Sequence, residues 1–213
     1  LVWLTGEPQH GVGPHDVAIA LCGAVYRNGF VKNRVLEFAG PGVAKLPMEY
    51  RIGIDVMTTE TACLSSIWET DAAVEAYLAE HGRADAYHAL HPKEGAYYDG
   101  MVSIDLSTVE PMAALPFHPS EAVTLRELID HPGDILRTVE RRAAEQFGDK
   151  ARLQLADKVK NGKLHVDQGV SRAARAACMI TLQRPPRFLR ARVRETDIFL
   201  CPCIRRPFRS IWN

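Results

Sequence analysis

Apolar side chains at Val17, Ala20, Leu21, Ala24 and Val25 recur with a helical period, which predicts an amphipathic helix from Pro14 onward. Pro14 suits the first helical turn, Asp16 favours the positive end of the helix dipole, and Asn28-Gly29 marks the stop. Val35 to Phe38 reads as a short strand running into the turn Gly40-Pro41-Gly42. Asp71 caps a further helix with Val74, Tyr77 and Leu78 as its buried stripe, ended by His81-Gly82. Val102, Ile104 and Leu106 alternate with Ser103, Asp105 and Ser107, the pattern of a half-buried strand. Asp134 opens a last helix, with Ile135, Leu136, Val139, Ala143 and Phe147 on one side and Gly148 beyond its end. Strands alternating with helices predict an α/β fold, and no internal repeat is visible.

This order stops at Val170. Residues 171–213 follow neither period, and their prolines cluster with arginines, as in Arg184-Pro185-Pro186-Arg187 and Arg205-Arg206-Pro207. The sequence thus divides into 1–170, an α/β domain region, and 171–213, an Arg-rich tail expected to be unstructured. Charge divides at the same place. Ten arginines against Glu195 and Asp197 give the tail +8, which the first 170 residues balance with −8. One reading of such a tail is a basic arm for nucleic acid, whose phosphate contacts would weaken with salt.

Composition narrows the classes. With 213 residues, 46% hydrophobic and 24% charged, the chain is neither collagen-like nor mostly disordered. No apolar run approaches the ~20 residues of a membrane helix, so no membrane partner is expected. Five cysteines at 22, 63, 178, 201 and 203 form no C-x-x-C pair, which argues against a disulfide scaffold or a structural zinc site. Reduced thiols and a cytoplasmic location are expected. The opening Leu-Val-Trp-Leu has no initiator Met and no basic n-region, so the chain reads as an internal stretch without a signal peptide.

The stretch Glu37-Phe38-Ala39-Gly40-Pro41-Gly42-Val43 and the run Gly53-Ile54-Asp55-Val56-Met57-Thr58-Thr59-Glu60-Thr61 resemble the aconitase superfamily of iron–sulfur hydro-lyases. Further blocks agree in order: Leu4-Thr5-Gly6, Pro14-His15-Asp16-Val17, Gly82-Arg83-Ala84-Asp85, Tyr98-Asp99-Gly100, Ile104-Asp105-Leu106-Ser107 and Pro116-Phe117-His118-Pro119. The wording is most similar to the bacterial hydratase branch and covers roughly residues 1–170. The resemblance implies a layered α/β/α aconitase-like core, incomplete in this chain. It also implies hydration or dehydration of a small hydroxy-polycarboxylate.

In intact members of that family three cysteines hold a four-iron, four-sulfur cluster whose fourth iron acts as a Lewis acid. A serine removes a proton, and arginines clamp the substrate carboxylates. The resemblance carries only Glu60 into this chain as a catalytic residue. It corresponds to the family glutamate that hydrogen-bonds the water or hydroxyl at the open iron. The family's cysteines, serine and arginine clamps would follow Val170, and its Asp-His and Asp-Ser-His segments would precede Leu1. No cluster is therefore expected in this chain, which is expected to be inactive by itself. Val56 stands where citrate-type enzymes carry an Asn. Cys22 and Cys63 read as core residues. His15, His88, His91 and His118 lack the partners of a catalytic base and read as surface or capping residues.

The family's next block contains its first cluster cysteine in a phrase similar to IAGCTGG. Codons for Ser171 to Thr181 can be chosen so that reading one base earlier gives IAGCTGGLYDN. Ile204 to Trp212 likewise yields YPASVPVYL in that frame. The tail is accordingly read as an out-of-frame continuation of the same gene. The nucleic-acid arm is the alternative, distinguished by salt-sensitive binding that survives loss of residues 1–170.

Overall fold

Four short strands pair in parallel in the computed structural model, which describes residues 1–148 and 153–166. They are β1 (Val2–Thr5), β2 (Val35–Ala39), β3 (Ser65–Trp68) and β4 (Val102–Asp105), in spatial order β3-β2-β1-β4. Val2 lies opposite Phe38 on one side and Val102 on the other, and Glu37 lies opposite Ile67. The expected α/β class is what the chain forms, and all four strands of this sheet run parallel.

Side chains alternate across a strand, so this register gives each face a distinct character. Val2, Leu4, Leu36 and Phe38 point to one face and are buried. Against them pack α1 (Pro14–Val25) and α2 (Met48–Asp55), through Val17, Leu21, Val25 and Ile54. Trp3, Val35, Glu37 and Ile67 point to the other face and remain half-exposed. The connection from β3 to β4 must travel back over two strands, and right-handed crossovers require it to use this second face. The contacts agree. Leu90 and Thr70 exchange backbone and hydroxyl hydrogen bonds, Tyr98 reaches Glu37, and Gly100 O accepts the Leu1 amine.

The local signals place three helices well. Helix α1 starts at Pro14, and Asp16 Oδ2 accepts the Gly13 N–H at 2.7 Å. Helix α3 (Ala72–Glu80) is capped by Asp71, whose Oδ1 accepts the Ala73 and Val74 N–H groups. Its expected stripe is only half-buried, and no residue of α3 is buried, because this helix packs at the margin beside the end of α2. Helix α5 (Pro132–Phe147) buries Leu136, Val139 and Ala143, while Phe147 rests at its exposed end against Phe117. The alternation at 102–106 breaks after Asp105. Its carboxylate accepts from Ser107 N–H and Oγ–H, which turns the chain into a 3-10 turn, with Leu106 still buried.

A small hairpin, β5 (Met112–Ala114) with β6 (Ala122–Thr124), covers the outer side of α1. Asp16 Oδ1 accepts Met112 N–H at 2.7 Å, and Glu121 accepts from Arg27 and Arg142. Thr124 and Glu127 form a capping box that starts α4 (Leu125–Asp130). Leu1–Leu164 behaves as one unit; the second begins at His165, and only His165 and Val166 of it are described. The expected boundary at 170 and the tail 171–213 lie outside the described residues.

Candidate active-site element

Glu60 sits in the 3-10 turn Thr58–Thr61, between α2 and β3. The turn is held from several directions. Thr58 Oγ1 donates to Asp55 O at 2.9 Å, and Thr61 Oγ1 donates to Thr58 O at 2.6 Å, so both hydroxyls are satisfied inside the core. Cys63 Sγ donates to Thr58 O at 3.3 Å, and Cys22 Sγ on α1 donates to Glu60 O at 3.6 Å. Glu60 N–H closes the turn on Met57 O at 3.1 Å. Ala62 ends it in the left-handed conformation at φ 61°.

Asp55 anchors this turn to the sheet. Its Oδ1 accepts from Ser66 Oγ at 2.6 Å and from Trp68 Nε1 at 2.9 Å, both on β3. Trp68 in turn stacks flat on Phe38 of β2, ring centroids 4.1 Å apart. The backbone carrying Glu60 is therefore fixed, while its side chain is exposed. Its carboxylate has no hydrogen-bond or ion-pair partner among the described residues. Val56 and Leu64, four positions to either side in sequence, are 55% and 68% exposed. Burial, and secondarily the Glu60 charge, pushes the Cys22 thiol up to about 11, so Cys22 stays a neutral donor.

The turn lies at the edge where β2 and β3 begin, since Asn33 N–H donates to Ala62 O and Leu64 N–H to Arg34 O. The opposite, carboxyl edge is where open parallel sheets usually take ligands. There Gly40-Pro41-Gly42 closes over β1 instead. Gly42 N–H donates to Leu4 O at 2.8 Å, and a Cβ on Gly40 would stand 2.6 Å from that oxygen. Those glycines serve close backbone packing, which their sequence spacing alone did not reveal.

The described residues do not make an iron–sulfur site. Cys22 and Cys63 each donate to a backbone carbonyl, and no three His, Cys, Asp or Glu side chains converge among the described residues. Cys178, Cys201 and Cys203 lie outside the described residues. Of the histidines, His91 pairs with Glu69 at 2.8 Å, and His118 stacks on Tyr26 with Nδ1 accepting from Ser120 N–H. No helix among the described residues is long and apolar enough to cross a membrane.

A four-stranded parallel sheet in the order β3-β2-β1-β4, with α1 and α2 packed on one face, defines a protein of the α/β class. The aconitase family model (aconitate hydratase) matches residues 1–181, and the chain belongs to the aconitase family. Among curated relatives, the 3-isopropylmalate dehydratase large subunit of Elusimicrobium minutum is 32% identical over 125 residues, 59% of this chain and 30% of that protein. The same subunit of Lachnoclostridium phytofermentans is 33% identical over 124 residues, covering 58% of this chain and 29% of the relative. Mitochondrial homoaconitase of Eremothecium gossypii is 34% identical over 144 residues, 60% of this chain and 21% of the enzyme. The chain thus spans less than a third of these relatives.

Proposed function

We propose that this chain is part of an aconitase-type hydratase that adds or removes water across a carbon–carbon double bond in a small hydroxy-polycarboxylate. The observation that carries the proposal is the family match over residues 1–181, with Glu60 held on a fixed backbone turn and its carboxylate free. Such a carboxylate can accept a proton from an attacking water or, once protonated, give one to a departing hydroxyl, without first breaking another bond. The neutral thiol of Cys22 orients the Glu60 backbone from below, and Asp55 fixes the turn against β3. In intact family members a four-iron, four-sulfur cluster supplies Lewis-acid chemistry. The family's cluster cysteines are taken to be lost to the out-of-frame reading after Val170, so under this proposal the chain as written has no hydratase activity of its own. A cytoplasmic location, where thiols stay reduced, goes with the same reading.

The test is Glu60→Gln in a gene that carries the whole hydratase. Turnover should fall by about 100-fold or more, as expected for losing a general acid–base group, while the folded state and the bound cluster persist. Unchanged turnover would return Glu60 to an ordinary surface carboxylate.

A further inference from the structure

The crossover from β3 to β4 leaves a cleft of about 370 Å³ on the second face of the sheet, within the range of small-ligand sites. Glu37 and Ile67 line it from the strands, and Leu90, Lys93, Tyr97 and Tyr98 line it from the crossover. No residue of the Glu60 turn takes part. Much of the polarity in the cleft is already committed. Tyr98 Oη donates to Glu37 Oε1 at 2.7 Å. That bond, with burial and carboxylate charge behind it, pushes the phenol up to about 12 and keeps it a donor. Glu69 Oε1 meets His91 Nδ1 at 2.8 Å, and Oε2 accepts Gly40 N–H at 3.4 Å.

Two charged groups are left over. Among the described residues Glu37 Oε2 has no donor and Lys93 Nζ has no acceptor. Ile67, Leu90 and Tyr97 add an apolar lining, with Tyr97 90% exposed. A simple anion would sit beside the Glu37 and Glu69 carboxylates, which the Leu1 ammonium, shared between Glu37 and Asp99, offsets only in part. A simple cation would leave Lys93 without a counter-charge. We propose that the cleft binds a small zwitterion with an apolar body, of the α-amino acid class. Its ammonium group pairs with Glu37, its carboxylate with Lys93, and its body covers Ile67, Leu90 and Tyr97.

L-leucine titrated into the full chain, followed by amide and tyrosine ring NMR shifts, tests this. Saturable shifts at Tyr97 and Tyr98 are expected, with a dissociation constant on the order of millimolar. Glu37→Gln, which keeps an acceptor for Tyr98, and Lys93→Ala, at the exposed rim, should each weaken binding about two- to fivefold, the range of an exposed ion pair. 4-Methylpentanoate and isopentylamine, each lacking one charge, should bind more weakly than leucine. Absence of saturable shifts, equal binding of all three compounds, or indifference to both substitutions overturns the proposal. An undispersed amide spectrum overturns it together with the fold.

Discussion

Arg51 is the residue on which the packing of α2 turns. It is 2% exposed, and its guanidinium spends its donors on four acceptors. Nε donates to Leu46 O at 3.0 Å, Nη2 to Val43 O at 2.9 Å, and Nη1 and Nη2 fork onto the two oxygens of Asp71. Lys keeps the charge but cannot present that planar fork. Arg51→Lys should therefore destabilise by about 1–3 kcal/mol, as unsatisfied carbonyls and a broken bidentate pair imply, and urea unfolding would show it. The pair also sets a pH dependence. Burial pushes the Asp71 carboxyl up, yet the Arg51 hydrogen bond and charge, with the Val74 and Ala73 N–H groups, pull it below its ordinary value of 3.8. A depressed folded-state pKa gives stability that is full above the unfolded value and is lost as pH falls below it. Acid unfolding monitored below about pH 4 should show this loss in the native chain. The loss should be smaller in Asp71→Asn, and an identical acid profile would refute the linkage. Asp71 and Asp16 could be read from sequence because caps act within four residues. A core arginine whose acceptors lie 5, 8 and 20 positions away could not.

Among the elements, those with self-contained signals were predictable, and those completed by neighbours were not. Helices α1, α3 and α5 announce themselves through Pro14, Asp71 and Asp134. Helix α2 hides its period because Arg51 and Gly53 occupy buried positions that a pattern expects to be apolar. Strand β3 is equally hidden, since Ser65 and Ser66 look like a loop until Asp55 accepts the Ser66 hydroxyl. The Thr124–Glu127 capping box is a local signal of the same self-contained kind, and it starts α4. Glu60 itself came from family wording; the sequence did not show that its turn lies at the strand-start edge of the sheet. Asp55→Ala should leave Trp68 Nε1 without an acceptor and Ser66 Oγ with only Thr58 Oγ1 at 3.3 Å, costing about 1–3 kcal/mol. Near-UV circular dichroism of Trp68 should weaken in the same variant, and an unaltered signal with unaltered stability would deny Asp55 its anchoring role.

At the scale of the whole chain, the parallel sheet has α1 and α2 on one face and an irregular crossover on the other. Parallel sheets are ordinarily covered on both faces. The chain aligns with less than a third of its relatives, and the family match continues to residue 181, beyond the change of character at Val170. Sequencing the gene around codon 170 decides whether the tail is an out-of-frame reading. The expected outcome is a frame one base earlier that encodes IAGCTGGLYDN; its absence removes that explanation of the arginines. Anaerobic reconstitution gives the matching chemical test. Iron–sulfur absorbance near roughly 400 nm should develop only in the chain restored to that frame and extended, because three converging thiolates are needed. A stable cluster in the chain as written would refute the assignment of the missing ligands to that frame.

Strand β1 is central, yet it is drawn from the first residues of the chain, and its partner β4 follows about a hundred positions later. Closing that pairing costs about 1 kcal/mol more loop entropy than the nearer β1–β2 pairing, so joining β4 is expected to be the slower event. During synthesis at about 5–20 residues per second, one side of Val2-Trp3-Leu4 stays unpaired for several seconds, until Asp105 has been made. An open apolar strand edge of that kind invites association between nascent chains. Yield of folded protein should consequently depend on translation speed and chaperone supply more than on the stability of the finished sheet.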